Sequence, residues 1–263
     1  MDIITSASNE QVKKIRALNA RAKTRREEGL FVAEGWKLFQ ETPQNLREHV
    51  YVSQSFLQER GKELQDVRYD VLENGLFARI CDTRTPQGIL TVARIPEWSR
   101  EELLGGGTHP PLLLLLENVQ DPGNVGTMIR TSEAAGVTGV IVSAGTADLF
   151  QPKVIRSTMG SVFRVPVRRE ENLPEVIRWL REHSIQTCGA HLKGNSSYAE
   201  QDYTGGTAFC IGNEGNGLSD ALTDMLDLKI RIPMEGKVES LNAAVSAAIL
   251  LYTAHAQRAV LCR

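Results

Sequence analysis

Leu112-Leu113-Leu114-Leu115-Leu116-Glu117-Asn118-Val119-Gln120-Asp121-Pro122-Gly123-Asn124-Val125-Gly126-Thr127-Met128-Ile129-Arg130-Thr131 joins a wholly apolar run to a polar turn and a helical stretch. Five leucines without polar alternation read as a strand covered on both faces, the pattern of a parallel sheet. Asp121-Pro122-Gly123 makes a tight turn, and Asn124 stands where it would cap the following helix, about a turn and a half before Arg130. Arg130 could also be a surface cation paired with Glu133 at i+3.

Similar apolar runs follow at 139–142, 185–190, 208–211 and 228–232, with helical stretches between them. Strands alternating with helices imply a parallel sheet, and ligands of such sheets lie beyond the carboxyl ends of the strands. The loops after these runs are therefore where chemistry is expected. Phe209-Cys210-Ile211-Gly212-Asn213-Glu214-Gly215-Asn216-Gly217-Leu218-Ser219 packs three glycines into six residues, so its backbone N–H groups can approach a ligand closely. Its spacing is neither the dinucleotide fingerprint nor the phosphate loop. An ordinary turn would serve too, but would not need Glu214. Ile232-Pro233-Met234-Glu235-Gly236-Lys237-Val238-Glu239-Ser240-Leu241-Asn242 runs into a small-residue helix that Ser240 could cap, with Leu241, Val245, Ile249 and Tyr252 as its core-facing stripe. Ile155 to Val167 sets Arg156 and Arg164 about a helix-to-strand junction, where they would be surface residues or phosphate contacts.

Upstream, residues 1–96 read as a small α/β unit. Ser8 or Asn9 caps a helix to about Glu28, Gly29 ends it, and strands are expected at 30–33, 50–52, 68–71 and 88–93 with a helix from about Gly35. Residues 97–111, glycine- and proline-rich, read as a linker before a second domain at 112–263.

Composition narrows the class. A chain of 263 residues, 41% hydrophobic and 24% charged, can bury a sizeable core. The N-terminus lacks the order of a signal peptide, and no apolar run is long enough to span a bilayer, so a cytoplasmic protein is expected. Cys81, Cys188, Cys210 and Cys262 have no metal-ligand or disulfide spacing and are expected to be reduced, mostly buried thiols. The net charge of −2 does not favour a nucleic-acid partner, but residues 11–26 hold seven basic and no acidic side chains, a local field suited to phosphates. A solvated helix face would look the same. No Gly-x-Ser-x-Gly elbow supports a hydrolase.

Taken in order, Asp-Pro-Gly-Asn-Val-Gly-Thr-Met-Ile-Arg-Thr, Ile-Gly-Asn-Glu-Gly-Asn-Gly-Leu-Ser and Ile-Pro-Met-x-Gly-x-x-x-Ser-Leu-Asn resemble the three motifs of the SpoU (TrmH) branch of the SPOUT methyltransferases. Ser157 to Val167 is similar to that family's intermediate segment, and Gly29 to Phe39 to a ribosomal-protein-like substrate-binding domain. The resemblance implies a SPOUT α/β-knot, a mostly parallel sheet with helices on both faces and a deep trefoil knot, with strands near 112, 139, 163, 185, 208 and 228. It implies a homodimer that uses S-adenosylmethionine, without a metal, to methylate a ribose 2′-hydroxyl, in ribosomal RNA before transfer RNA. A non-catalytic RNA-binding module of the same fold is the alternative. By motif position, Asn124, Arg130, Glu214, Ser240 and Asn242 are the expected catalytic set, and Gly212, Ile232 and Leu241 the expected cofactor contacts.

Overall fold

The computed structural model describes residues 3–107, 109–192, 194 and 196–261, and the chain divides into two compact units. The first comprises residues 1–96 and 148–163, and the second residues 97–147 and 164–263.

The first unit opens with β1 (Ile3–Ile4), α1 (Glu10–Ala20), α2 (Ala22–Glu28), β2 (Leu30–Glu34) and α3 (Trp36–Glu41). It continues through β3 (Arg47–Ser53), α4 (Gln54–Arg60), β4 (Tyr69–Leu72), α5 (Asn74–Ile80) and β5 (Ile89–Arg94). The strands form a mixed sheet in the order β1-β4-β3-β5-β2. The single helix expected to Glu28 is two helices broken at Arg21, whose backbone is extended (φ −126°, ψ 116°). A buried cation explains the break: the Arg25 guanidinium folds back to donate to the Leu18 and Asn19 carbonyls that the interrupted ladder frees, and it pairs with Asp148. Asn9 is the cap, its Oδ1 accepting from the Gln11 amide at 2.8 Å, and Gly29 closes the second helix in the left-handed conformation.

The second unit contains β6 (Leu112–Leu116), α6 (Pro122–Ala135) and β7 (Gly139–Ser143). Then comes α7 (Pro152–Thr158), which belongs to the first unit. The second unit resumes with β8 (Val167–Glu170), α8 (Leu173–Glu182), β9 (Gln186–Ala190), β10 (Ser196–Ser197) and β11 (Thr207–Ile211). It ends with α9 (Asp220–Thr223), β12 (Leu228–Arg231) and α10 (Ala243–Leu261). Its seven strands are all parallel, in the order β10-β12-β9-β11-β6-β7-β8. Leu113, Leu115, Ile141, Ala208 and Cys210 meet Leu173, Val176, Ile177 and Leu180 of α8, while α10 packs against β11 and α6. Cover on both sides is why β6 tolerates no polar residue.

Three expectations need correction. Residues 97–111 are no free linker: Leu103 is fully buried with Leu113 and Ile141, and Arg100 pairs with Glu170 and Glu175. Residues 148–163 do not belong to the second domain's core, because Phe150, Ile155, Val162 and Phe163 pack against Phe31, Ala33 and Leu38. In consequence residues 161–163 form a 3-10 turn, and the strand expected near 163 starts at Val167. The third concerns α10, whose buried stripe is Ala244, Ala247, Leu250, Leu251 and Ala254, whereas Val245 and Tyr252 are 48% and 47% exposed. A helix apolar on nearly every side offers two stripes of the same period, and periodicity alone does not choose between them.

Cys188 and Cys210 are buried and Cys81 partly so, all free thiols; burial pushes the Cys188 thiol up to about 12. Cys262 lies outside the described residues. Among the described residues, no helix is long and apolar enough to cross a membrane.

Candidate active site at the carboxyl edge of the parallel sheet

Because β6, β11 and β12 run parallel, they end at one edge of the sheet, and residues 117–121, 212–219 and 232–242 emerge there together. Two carboxylates fasten the first two loops. Glu117, buried at the end of β6, accepts from the Ser219 amide and hydroxyl, both at 2.7 Å. The Glu214 carboxylate accepts from the Gln120 and Asp121 amides and from Asn124 Nδ2, each at 3.0 Å. Partial burial pushes the Glu214 carboxyl up, but the bonds from Asn124 and the two amides together outweigh it and hold the group below its ordinary range.

The loop after β11 turns back on itself. Asn213 and Gly217 exchange backbone hydrogen bonds at 3.0 and 2.9 Å, and Gly217 sits at φ +70°. A Cβ on Gly212 would lie 2.0 Å from the Gly217 carbonyl carbon, so the loop's own closure requires that glycine, whatever ligand it meets. Asn213 Nδ2 also donates to the Asn118 carbonyl at 2.9 Å.

The third loop joins through Asn242. Its Oδ1 accepts from the Ala244 and Val245 amides at 2.8 and 3.3 Å, capping α10, while its Nδ2 donates to Asn124 Oδ1 at 3.0 Å. Asn242, not Ser240, is therefore the cap of this helix. In the same way Asp121, not Asn124, caps α6, accepting from the Asn124 amide at 2.8 Å. That frees the Asn124 amide side chain to bridge Glu214 and Asn242.

Behind this bridge lies a cavity of about 320 Å³. Its lining includes Gly212, Glu214, Ile232, Ser240 and Leu241, so five of the eight expected site residues share one wall, and hydrogen bonds tie Asn124 and Asn242 to it. Ile211, Leu218, Ile230 and Met234 give it apolar surfaces and His191 a polar one. Arg130 is not among the lining residues: it is exposed, and its side chain has no hydrogen bond or ion pair among the described residues. Glu133, its possible i+3 partner, instead accepts from Arg164, and Arg156 pairs with Asp82 at 2.7 Å. Both cations once open to phosphate contact are thus taken by carboxylates. No group of His, Cys, Asp and Glu among the described residues could hold a metal ion.

The sequence pattern of the SpoU rRNA Methylase family matches residues 111–252, which hold all three loops. The chain belongs to the SpoU rRNA methylase family. A second pattern, the MRM3-like substrate binding domain, matches residues 9–91. The chain is 36% identical to the 23S rRNA (guanosine(2553)-2'-O)-methyltransferase RlmP of Bacillus subtilis, over 96% of its own length and 98% of the relative's. The SpoU methyltransferase AviRb from Streptomyces viridochromogenes, crystallised with the cofactor AdoMet, superimposes with a TM-score of 0.86 at 27% identity, covering 95% and 98% of the two chains. An AdoMet-bound rRNA methyltransferase from Sinorhizobium meliloti gives a TM-score of 0.83 at 31% identity, over 97% of each chain.

Within this SpoU chain, sequence reasoning missed Glu117, Asn118 and Ser219. Asn118 adopts φ +54°, its amide donates to Ser143 Oγ at 2.9 Å, and its carbonyl receives Asn213. A lone acid at the end of a leucine run was the one available signal, since a buried carboxylate demands donors.

Proposed function

We propose that this protein transfers a methyl group from S-adenosylmethionine to a ribose 2′-hydroxyl of ribosomal RNA. The observation that carries the reading is the line of hydrogen bonds from Glu214 through Asn124 to Asn242, along a cavity built from the family's three motifs. The activity in the name of the Bacillus subtilis relative supports it, as do the AdoMet-bound neighbours and the match to a substrate-binding domain.

The cavity suits the donor. Ile211, Leu218, Ile230, Ile232 and Leu241 offer apolar surfaces to a flat base, and the turns at 212–218 offer backbone polar groups. Bound there, S-adenosylmethionine would supply a methyl group already activated by its sulfonium sulfur. The protein's task is to align an acceptor oxygen and manage one proton. Asn124, Glu214 and Asn242 hold the three loops in one arrangement, and Ser240 lends a hydroxyl to the wall. A guanidinium group is not deprotonated in proteins, so we assign Arg130 to anchoring an RNA phosphate and to stabilising negative charge that develops on the 2′-oxygen.

Six residues of helix separate Arg130 from Asn124, about 9 Å along α6 and about 120° around it. We therefore assign the protein as a homodimer in which Arg130 serves the pocket of the second copy, the exposed apolar stripe of α10 being a face such a copy would cover. The segment after β12 is proposed to thread a loop as a deep trefoil knot, in keeping with a strand order that inserts β11 between β9 and β6. The cytoplasm, where ribosomal RNA is found, is the proposed location.

Incubation with methyl-labelled S-adenosylmethionine, ribosomal RNA and transfer RNA tests the proposal. A single alkali-resistant 2′-O-methyl position in ribosomal RNA is expected. Label in transfer RNA alone would move the substrate, and absence of any heat of binding with S-adenosylmethionine would reduce the protein to an RNA-binding module.

A further inference from the structure

Helix α10 begins at the candidate active site, yet its densest polar anchorage lies at the other end. The Arg258 guanidinium donates to four carbonyls: Tyr203 at 2.8 Å, Pro110 at 2.7 Å, Pro111 at 3.1 Å and Gly205 at 2.5 Å. Gln257 adds two bonds, accepting from the Tyr203 amide at 2.8 Å and donating to the Gln201 carbonyl at 2.9 Å. Tyr203 is itself fixed, fully buried against Phe209 with its hydroxyl donating to the Tyr198 carbonyl. No carboxylate is among the described partners of Arg258, so this cation acts on backbone rather than on charge.

The segments it joins matter. Pro110-Pro111 leads into β6 and Gly205 into β11, the two neighbouring strands whose far ends carry the loops at 117–121 and 212–219. The fifteen residue steps from Ala243 to Arg258 span about 22 Å of helix, so α10 runs from the site to the opposite end of these strands. Three of the five fully packed residues along the way, Ala244, Ala247 and Ala254, carry only a methyl group. A smooth surface of this kind gives little resistance to a helix sliding or turning, because register in a core comes from interlocking side chains of unequal size.

We infer that Arg258, seconded by Gln257, is a positioning residue for the cofactor pocket, fixing the axial and rotational setting of α10 so that Asn242 meets Asn124. The inference rests on the reading of the cavity as the S-adenosylmethionine site. Only a planar fork of five donors reaches both segments; a lysine ammonium keeps the charge but satisfies one of them.

The test compares the full-length parent with Arg258→Ala, Arg258→Lys and Gln257→Ala, and with Leu180→Ala as a control cavity on the opposite face of the sheet. Calorimetry with S-adenosylmethionine and amide hydrogen exchange are measured well below every melting temperature. Arg258→Ala is expected to lose about tenfold or more in affinity and Arg258→Lys a smaller part. Exchange should quicken at Ala244 and Val245, the amides that Asn242 holds, and at Gln120 and Asp121. Leu180→Ala should lower the melting temperature while leaving affinity and these amides unchanged. Affinity within twofold of the parent in Arg258→Ala, or an equal loss in Leu180→Ala, overturns the inference. Should Arg258→Ala fail to fold, the lysine and Gln257→Ala proteins decide by the same two readouts. If the parent gives no heat with S-adenosylmethionine, the cofactor reading fails, while the exchange comparison still decides the clamp.

Discussion

Two carboxylates with similar partners are set to different tasks by burial. Glu117 is 8% exposed, and among the described residues its carboxylate bonds only Ser219, which makes it a structural tie between loops. Glu117→Gln places an amide donor against donors already there, and should cost about 1–3 kcal/mol in urea unfolding. Glu214 is exposed and receives three donors, one from Asn124. Glu214→Gln should lower the melting temperature modestly near neutrality and kcat/KM about a hundredfold, because the loops would no longer meet in one geometry. Since the folded protein holds the Glu214 carboxyl below its ordinary value, its stabilising contribution is complete near neutrality and lost as pH falls through that lowered value. The melting temperatures of parent and Glu214→Gln should accordingly converge in acid; a gap that persists or widens would contradict this account. The capping role expected of Asn124 belongs to Asp121, since both are good capping types and only the fold assigns the task.

At the scale of elements, strands were easier to read than helices. The run Leu112–Leu116 is a strand from end to end because five apolar residues flanked by turn formers leave no other solution. Helix α10 was placed well along the chain and wrongly around its axis, for its outward face is also apolar. That face is the one a second copy would cover in the proposed homodimer. Tyr252→Glu should shift the protein to monomer in sedimentation velocity while the isolated chain keeps its far-ultraviolet helix signal; a dimer that survives Val245→Glu and Tyr252→Glu together would remove α10 from the interface. The break at Arg21 had no signal in local propensity, because its cause, the carboxylate of Asp148, lies 123 residues from Arg25.

The whole molecule is less modular than its sequence suggests. Residues 148–163 leave the second unit's sequence to complete the first unit's core, bringing Phe150 and Phe163 to within 5.0 and 5.9 Å of the Phe31 ring. Residues 1–96 produced alone should therefore expose Phe31 and Leu38 and bind a hydrophobic dye, whereas the full chain should not. Within the same unit, Asp148→Ala would strand the buried Arg25 guanidinium and should cost about 3–5 kcal/mol in equilibrium unfolding. Arg130 raises the question of assembly. If it serves a second copy, mixing Arg130→Ala with Glu214→Gln, each impaired alone, should raise methyl transfer well above either component by forming one intact site per mixed dimer; a mixture no more active than its components would return Arg130 to its own chain.

By itself the sequence determined the parallel sheet, the three loops that gather at its carboxyl edge and the family, because a doubly covered strand admits only apolar residues and a strand-to-helix turn needs glycine, asparagine and proline at set positions. Tertiary structure alone decided which polar residue caps which helix, which face of α10 is buried, where residues 148–163 belong and that Glu117 ties two loops. Those outcomes depend on partners far away in the chain, and a hydrogen bond or a packed face is fixed by where both of its members end up.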